Sequence, residues 1–147
     1  ILTWCWNEIC KNKDEQVILV CDEAHLIIDP NNRDGIDFLK KASKRIRKQN
    51  GSLILISQNL IDFCSPEIER YGQVIIDNSS YLLVMSQGQK EIEAVAKMLS
   101  LSESEKQFLT TASQGCGLFV IGQDTRLPIQ VELRVEEKEL FGSAGGK

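Results

Sequence analysis

Residues 17–23, Val17-Ile18-Leu19-Val20-Cys21-Asp22-Glu23, decide the fold: an apolar run leads straight into two adjacent carboxylates. A continuous apolar run of this kind is the mark of a strand buried on both faces of a parallel sheet. Residues just past the carboxyl end of such a strand face the crevice where α/β folds bind ligands. Placed there, Asp22 can hold a magnesium ion and Glu23 can take a proton from water. This is the acidic, Walker B half of a phosphate-cleaving site. Its other half would be a glycine-rich G-x-x-x-x-G-K-[ST] loop, and the sequence contains none. The closing residues 142–147 (GSAGGK) do not qualify. Lys147 follows Gly142 by one position too few, with no buried strand before the segment and no helix after it.

Outward from this run, strands and helices alternate, which is the pattern of a mostly parallel sheet flanked by helices. Residues 1–11, with Trp4, Trp6 and Ile9, read as a helix that packs on something upstream. After a breaker cluster at 29–35, a helix is predicted over 36–49. Phe38, Leu39, Ala42 and Ile46 share one face, and Lys40, Lys41, Lys44, Arg45, Arg47 and Lys48 take the other. Asn50 and Gly51 stop it, and 52–57 is the next buried strand, with Gln58 and Asn59 at its carboxyl end. Ser65, Pro66 and Glu67 form a capped helix start, so 66–76 is predicted helical despite Val74, Ile75 and Ile76. A third buried strand follows at 81–85 and a helix at 91–100. Ser102 and Glu105 make a capping box for another helix. Residues 117–122 and the alternating 129–135 read as an antiparallel hairpin with its turn at 123–127. The expected organisation is one domain over 1–141 and a flexible tail at 142–147.

Composition narrows the class. With 147 residues, 42% of them hydrophobic, the chain can bury one real core. No stretch approaches the roughly 18 apolar residues of a membrane span. A net charge of −4 gives no support to wholesale attraction to nucleic acid. The cysteines Cys5, Cys10, Cys21, Cys64 and Cys116 are scattered and odd in number, which fits a reducing compartment better than a disulfide frame or zinc site.

The chemistry gathers at two strand ends. In enzymes that cleave nucleoside triphosphates, a metal ion neutralises charge on the transferring phosphoryl group and a carboxylate or amide orients the attacking water. Neighbouring parallel strands lie about 4.8 Å apart, so Asp22, Glu23 and Gln58 can converge on one phosphate. The basic face of the 36–49 helix is either a solvated surface or the source of an arginine finger acting on a neighbouring subunit's nucleotide. For the second role Arg45 and Arg47 are candidates, and Arg126, read as part of the hairpin turn, is a third. His25 reads as a satisfied polar residue beside the site.

Taken together, residues 17–26 (VILVCDEAHL), 44–51 (KRIRKQNG), 53–59 (LILISQN), 75–87 (IIDNSSYLLVMSQ), 99–109 (LSLSESEKQFL) and 115–141 (GCGLFVIGQDTRLPIQVELRVEEKELF) resemble the C-terminal ATPase domain of conjugative-transfer and type IV secretion ATPases. The resemblance covers nearly the whole chain. It implies a partial RecA-like P-loop core in a hexamer at the cytoplasmic face of a secretion channel, with ATP and Mg2+ as ligands and other channel components as partners. It implies that ATP hydrolysis assembles a pilus or moves DNA or protein substrates. Asp22 matches the metal-side acid, Glu23 the general base and Gln58 the amide that senses the γ-phosphate. An arginine of the KRIRK segment matches the trans finger, without a choice between Arg45 and Arg47.

Two other readings remain at this point. Asp22-Glu23-Ala24-His25 spells the DEAH box of a helicase class, but that class needs a Ser-Ala-Thr type motif after the next strand, where Ser57-Gln58-Asn59 stands. A non-catalytic assembly module is the third. The expectation is that the chain is the C-terminal portion of a longer ATPase. Alone, without phosphate-loop amides and lysine, it should neither bind ATP tightly nor turn it over.

Overall fold

In the computed structural model, which describes residues 1–11, 14–58, 60–122 and 124–141, the decisive run forms β1 (Val17–Cys21) and pairs in parallel with β2 (Gly51–Leu55). Val17 lies opposite Gly51 and Cys21 opposite Leu55. The described residues form two compact units, the first of residues 1–80 and 93–101, the second of residues 81–92 and 102 onward.

In the first unit, α1 (Leu2–Lys11) precedes β1 and α2 (Arg33–Arg45) connects β1 to β2. The predicted start of α2 at residue 36 is three residues late. Asn32 caps the helix by accepting the Gly35 N–H at 3.1 Å, so the glycine read as a breaker lies inside the first turn. A side chain at Gly35 would sit 2.6 Å from the Ile27 carbonyl, which is why this position tolerates only hydrogen there. Ile36, Phe38, Leu39 and Ala42 face the core. The predicted last turn instead tightens into a 3-10 segment, Ile46–Gln49, and Asn50 closes it in the left-handed region, φ 55°. Another 3-10 turn, Leu60–Cys64, leads to α3 (Glu69–Asp77).

The predicted cap of that helix is not formed. Pro66 instead lies within a backbone turn in which the Ser65 carbonyl accepts from the Ile68 and Glu69 N–H groups. The Ser65 hydroxyl is buried and lacks a hydrogen-bond partner among the described residues. Most of α4 (Ile92–Leu99) completes the unit. It is tied to α3 by a 3.3 Å Lys97–Glu69 pair, and its Met98 sulfur lies 3.7 Å from Cys64.

One expectation about β1 and β2 changes. Leu19, Cys21, Leu53 and Leu55 turn away from solvent, whereas Ile18 (59% exposed), Val20 (54%), Ile54 (46%) and Ile56 (48%) form an apolar face that no described element covers. The two-sided burial read from composition is therefore one-sided among the described residues.

The second unit is antiparallel throughout. β3 (Tyr81–Met85), β4 (Cys116–Ile121) and β5 (Thr125–Gln130) lie in that order. The α/β class and the closing hairpin stand as read, with parallel pairing confined to β1–β2 among the described strands. β3 was expected to be buried, but Tyr81, Leu83 and Met85 are exposed and only Val84 is fully enclosed, against Leu118 in register. The hairpin turn is tighter than predicted, with Ile121 opposite Thr125, so β5 begins four residues early and ends before Val131. The Ser102–Glu105 capping box opens α5 (Glu103–Thr111) as predicted. The residues expected to continue the second hairpin strand instead lead into α6 (Val135–Phe141). The tail at 142–147 lies outside the described residues.

Candidate functional site

Beyond Cys21 the chain makes a turn that few residues tolerate. Glu23 adopts φ 51° and ψ 47°, the left-handed region, at a cost of about 1–2 kcal/mol for a residue with a Cβ. The neighbouring backbone holds it there. Ile56 N–H donates to the Cys21 carbonyl at 2.9 Å and Ala24 N–H donates to the Ile56 carbonyl at 2.8 Å, extending the ladder across the turn. Ala24 is fully buried. The Glu23 N–H is taken by Asp22 Oδ1 at 2.9 Å, and the Glu23 carbonyl accepts from Leu26 as a short 3-10 segment, Ala24–Leu26, begins. Strained backbone pinned by its surroundings is characteristic of functional positions.

The turn sets three side chains in order. Asp22 is exposed at the carboxyl edge of β1. Glu23, about one-third exposed, receives a 2.5 Å hydrogen bond on Oε1 from Gln58 Nε2, which comes from just past β2. The convergence expected of two adjacent strand ends is thus met for Glu23 and Gln58. On the other side of the carboxylate, Oε2 lies 3.2 Å from His25 Nδ1. That contact falls short of hydrogen-bond geometry, and neither atom has a partner among the described residues. His25 is therefore not the satisfied bystander read from the sequence. Its two-residue spacing from Glu23 was visible, but only the left-handed turn folds one side chain back on the other.

Arg45 and Arg47 lie apart from this cluster. Arg45 ends α2 and Arg47 sits in the following turn, both exposed. The Arg47 carbonyl accepts from Asn50, at the amino end of β2. Gln58 lies past the other end, on the order of 16 Å away along a five-residue strand. Arg126 belongs to the second unit, and the structure moves it from the predicted turn into β5. It donates to Glu105 Oε2 at 3.2 Å. Burial acts to raise the Glu105 pKa. The Ser102 N–H and hydroxyl together with the Arg126 charge outweigh it and hold the carboxyl below its ordinary value.

The donor set suits one kind of metal site. Among the described residues no three His, Cys, Asp or Glu side chains form a cluster able to hold an ion alone. Magnesium asks for less: it keeps its waters and is commonly held by one or two carboxylates together with substrate phosphates. Exposed Asp22 fits that role. At Cys21, next to it, burial and, to a smaller extent, Cys5 push the thiol pKa up, which disfavours the thiolate.

Comparison with known proteins agrees in its direction. The model of the TraG P-loop domain matches residues 1–115. Protein TraC of Escherichia coli (strain K12) is 32% identical over 72 residues, which are 49% of this chain and 8% of TraC. The solved structure of VirB4 of Thermoanaerobacter pseudethanolicus aligns with a TM-score of 0.82 at 46% identity, covering 92% of this chain and 36% of that one. The chain thus spans about a third of the VirB4 chain and under a tenth of TraC.

Proposed function

The chain belongs to the TraG P-loop domain family of conjugative-transfer and type IV secretion ATPases, and from that premise we propose that its first unit supplies the metal-and-water half of an ATP-hydrolysing site. The observation that carries this reading is the hydrogen bond from Gln58 to Glu23, which joins the ends of two parallel strands at a strained acid. Glu23 is the general base, Gln58 the sensor of the γ-phosphate, and Asp22 the acid on the metal side. Magnesium, when bound with ATP, neutralises charge on the phosphoryl oxygens.

The residues divide the remaining work. In the resting arrangement Gln58 occupies Glu23 Oε1. When a γ-phosphoryl group offers the amide a better acceptor, Gln58 turns to it and frees Oε1 for the attacking water. The water's proton passes to Oε1, its oxygen bonds to phosphorus, and the bond to the bridging oxygen of ADP breaks. Because Arg45 and Arg47 lie at the far end of β2, either serves as a finger only for a neighbouring copy. This fits a ring, and we take the assembly to be a hexamer. Arg126, committed to Glu105, is the weaker candidate. No helix among the described residues is long and apolar enough to cross a membrane. In this reading attachment to the cytoplasmic face comes through other components of the secretion channel. Pilus assembly or substrate transfer is the work to which hydrolysis is coupled.

In the full-length protein that carries this segment, Glu23→Gln should lower ATP turnover by at least about a hundredfold, the scale of a lost general base. Gln58→Ala should lower it by about tenfold or more, the worth of one hydrogen bond to a charged group. Both should bind ATP with near wild-type affinity. Wild-type turnover in Glu23→Gln overturns the reading and favours an assembly module.

A further inference from the structure

The Glu23 carboxylate is gripped from two sides, and the catalytic roles above use only the Gln58 side. On the other, Oε2 faces His25 Nδ1 at 3.2 Å. Both atoms are sealed from solvent without a hydrogen-bond partner among the described residues, although the His25 side chain is 29% exposed elsewhere. A desolvated carboxylate oxygen opposite a desolvated ring nitrogen is tolerable only if the nitrogen carries a proton. Otherwise two lone pairs face each other, and each group bears the full cost of its lost water. An imidazole protonated at Nδ1 can donate to Oε2, and the broad χ2 well of histidine lets the ring turn into line at little cost.

We propose that His25 is a positioning residue for Glu23: its Nδ1–H anchors Oε2, so that Oε1 is the oxygen presented to Gln58 and then to water. The proposal rests on Glu23 being the base. The backbone supports it independently. Ala24, between the two residues, is fully buried and bonded through its N–H to the Ile56 carbonyl, so the fold fixes the distance between residues 23 and 25. The arrangement parallels the outer-shell partners that orient ligating and catalytic side chains elsewhere, whose loss commonly costs about 10–100-fold. A histidine that merely filled space would need neither a sealed Nδ1 nor a facing carboxylate.

The test compares His25→Ala, His25→Asn and His25→Gln in the full-length protein, with ATP as the probe. The Asn amide nitrogen falls near the place of Nδ1, and that of Gln near Nε2. His25→Ala should lower kcat about 10–100-fold with KM changed less than about twofold, since an orienting bond acts on the chemical step rather than on ATP binding. His25→Asn should recover to within about threefold of wild type, and His25→Gln should not. In a Glu23→Gln background, His25→Ala should add less than about twofold, because a residue acting only through Glu23 has nothing left to position. Equal rates in His25→Asn and His25→Gln overturn the proposal. So does wild-type kcat in His25→Ala alongside an inactive Glu23→Gln. Asn and Gln keep bulk and polarity, so their ranking decides the matter even where the alanine variant fails to fold. Wild-type turnover in Glu23→Gln alone is a separate failure, which removes the base reading itself.

Discussion

Replacing Glu23 by glycine should leave the protein more stable than replacing it by alanine, the reverse of the order expected at ordinary positions. Both substitutions remove the contacts to Gln58 and His25, so these losses cancel in the comparison and the backbone term remains. At φ 51° and ψ 47°, alanine keeps a penalty of about 1–2 kcal/mol that glycine escapes. Against this, glycine gains about 0.4–1 kcal/mol of freedom in the unfolded chain. The difference is about 0.5–1 kcal/mol in favour of Glu23→Gly, or about 1–4 °C in melting temperature for a chain of this size. Urea unfolding followed by tryptophan fluorescence is the natural assay. The two tryptophans, Trp4 and Trp6, both lie on α1 in the first unit, so the signal reports the unit that contains the turn. An alanine variant as stable as the glycine variant, or more so, would refute the reasoning, because it would mean that Glu23 carries no left-handed strain. In the full-length protein both variants should lose turnover, which would make this a position where stability is given up for chemistry.

The other predictions concern packing, charge and assembly. Gly72→Ala places a Cβ 2.3 Å from the Phe63 carbonyl oxygen and should cost about 1–3 kcal/mol in urea unfolding despite alanine's better helix propensity; unchanged or raised stability contradicts the close approach of α3 to the 60–64 turn. The Glu105 carboxyl, held below its ordinary pKa, contributes stability that is present above the unfolded-state value and lost as pH falls through the depressed folded value. Thermal melts on acidification should therefore show a stability loss that Glu105→Gln flattens, and an equally steep loss in that variant would contradict the assignment. Arg45→Ala or Arg47→Ala, whichever is the finger, should cut turnover about a thousandfold with ATP binding retained. Mixing that variant with Glu23→Gln should restore part of the activity, and a mixture as inactive as its components would exclude action across a subunit boundary.

How far the sequence could be read differs from element to element for physical reasons. The run into Asp22 and Glu23 was legible because the acids interrupt an unbroken apolar segment at one point, although only one face of that strand is buried among the described residues. That Glu23 and Gln58 come near one another was legible from the spacing of neighbouring strand ends, whereas the direct hydrogen bond between them was not. The start of α2 was missed because Gly35 looks like a breaker until Asn32 is seen to cap its N–H. The direction of β3 was not legible: an apolar pentapeptide reads the same whether its neighbour runs parallel or antiparallel, and only pairing with β4 decides. The hairpin register slipped because the alternation of Ile129, Val131, Leu133 and Val135 continues past the strand into the approach to α6. At the candidate site the residues were visible and the geometry was not. Left-handed φ at a glutamate has no compositional signal, and it is this angle that sets His25 against the carboxylate.

The central claim is that Glu23 deprotonates the water that cleaves ATP. It is tested most directly by identifying the nucleotide that stays bound when the full-length Glu23→Gln variant is incubated with ATP and magnesium and then separated from free nucleotide. The account predicts that ATP is recovered intact from the variant and ADP from the wild-type protein. Recovery of ADP from Glu23→Gln, in the amount and at the rate of the wild type, would contradict it.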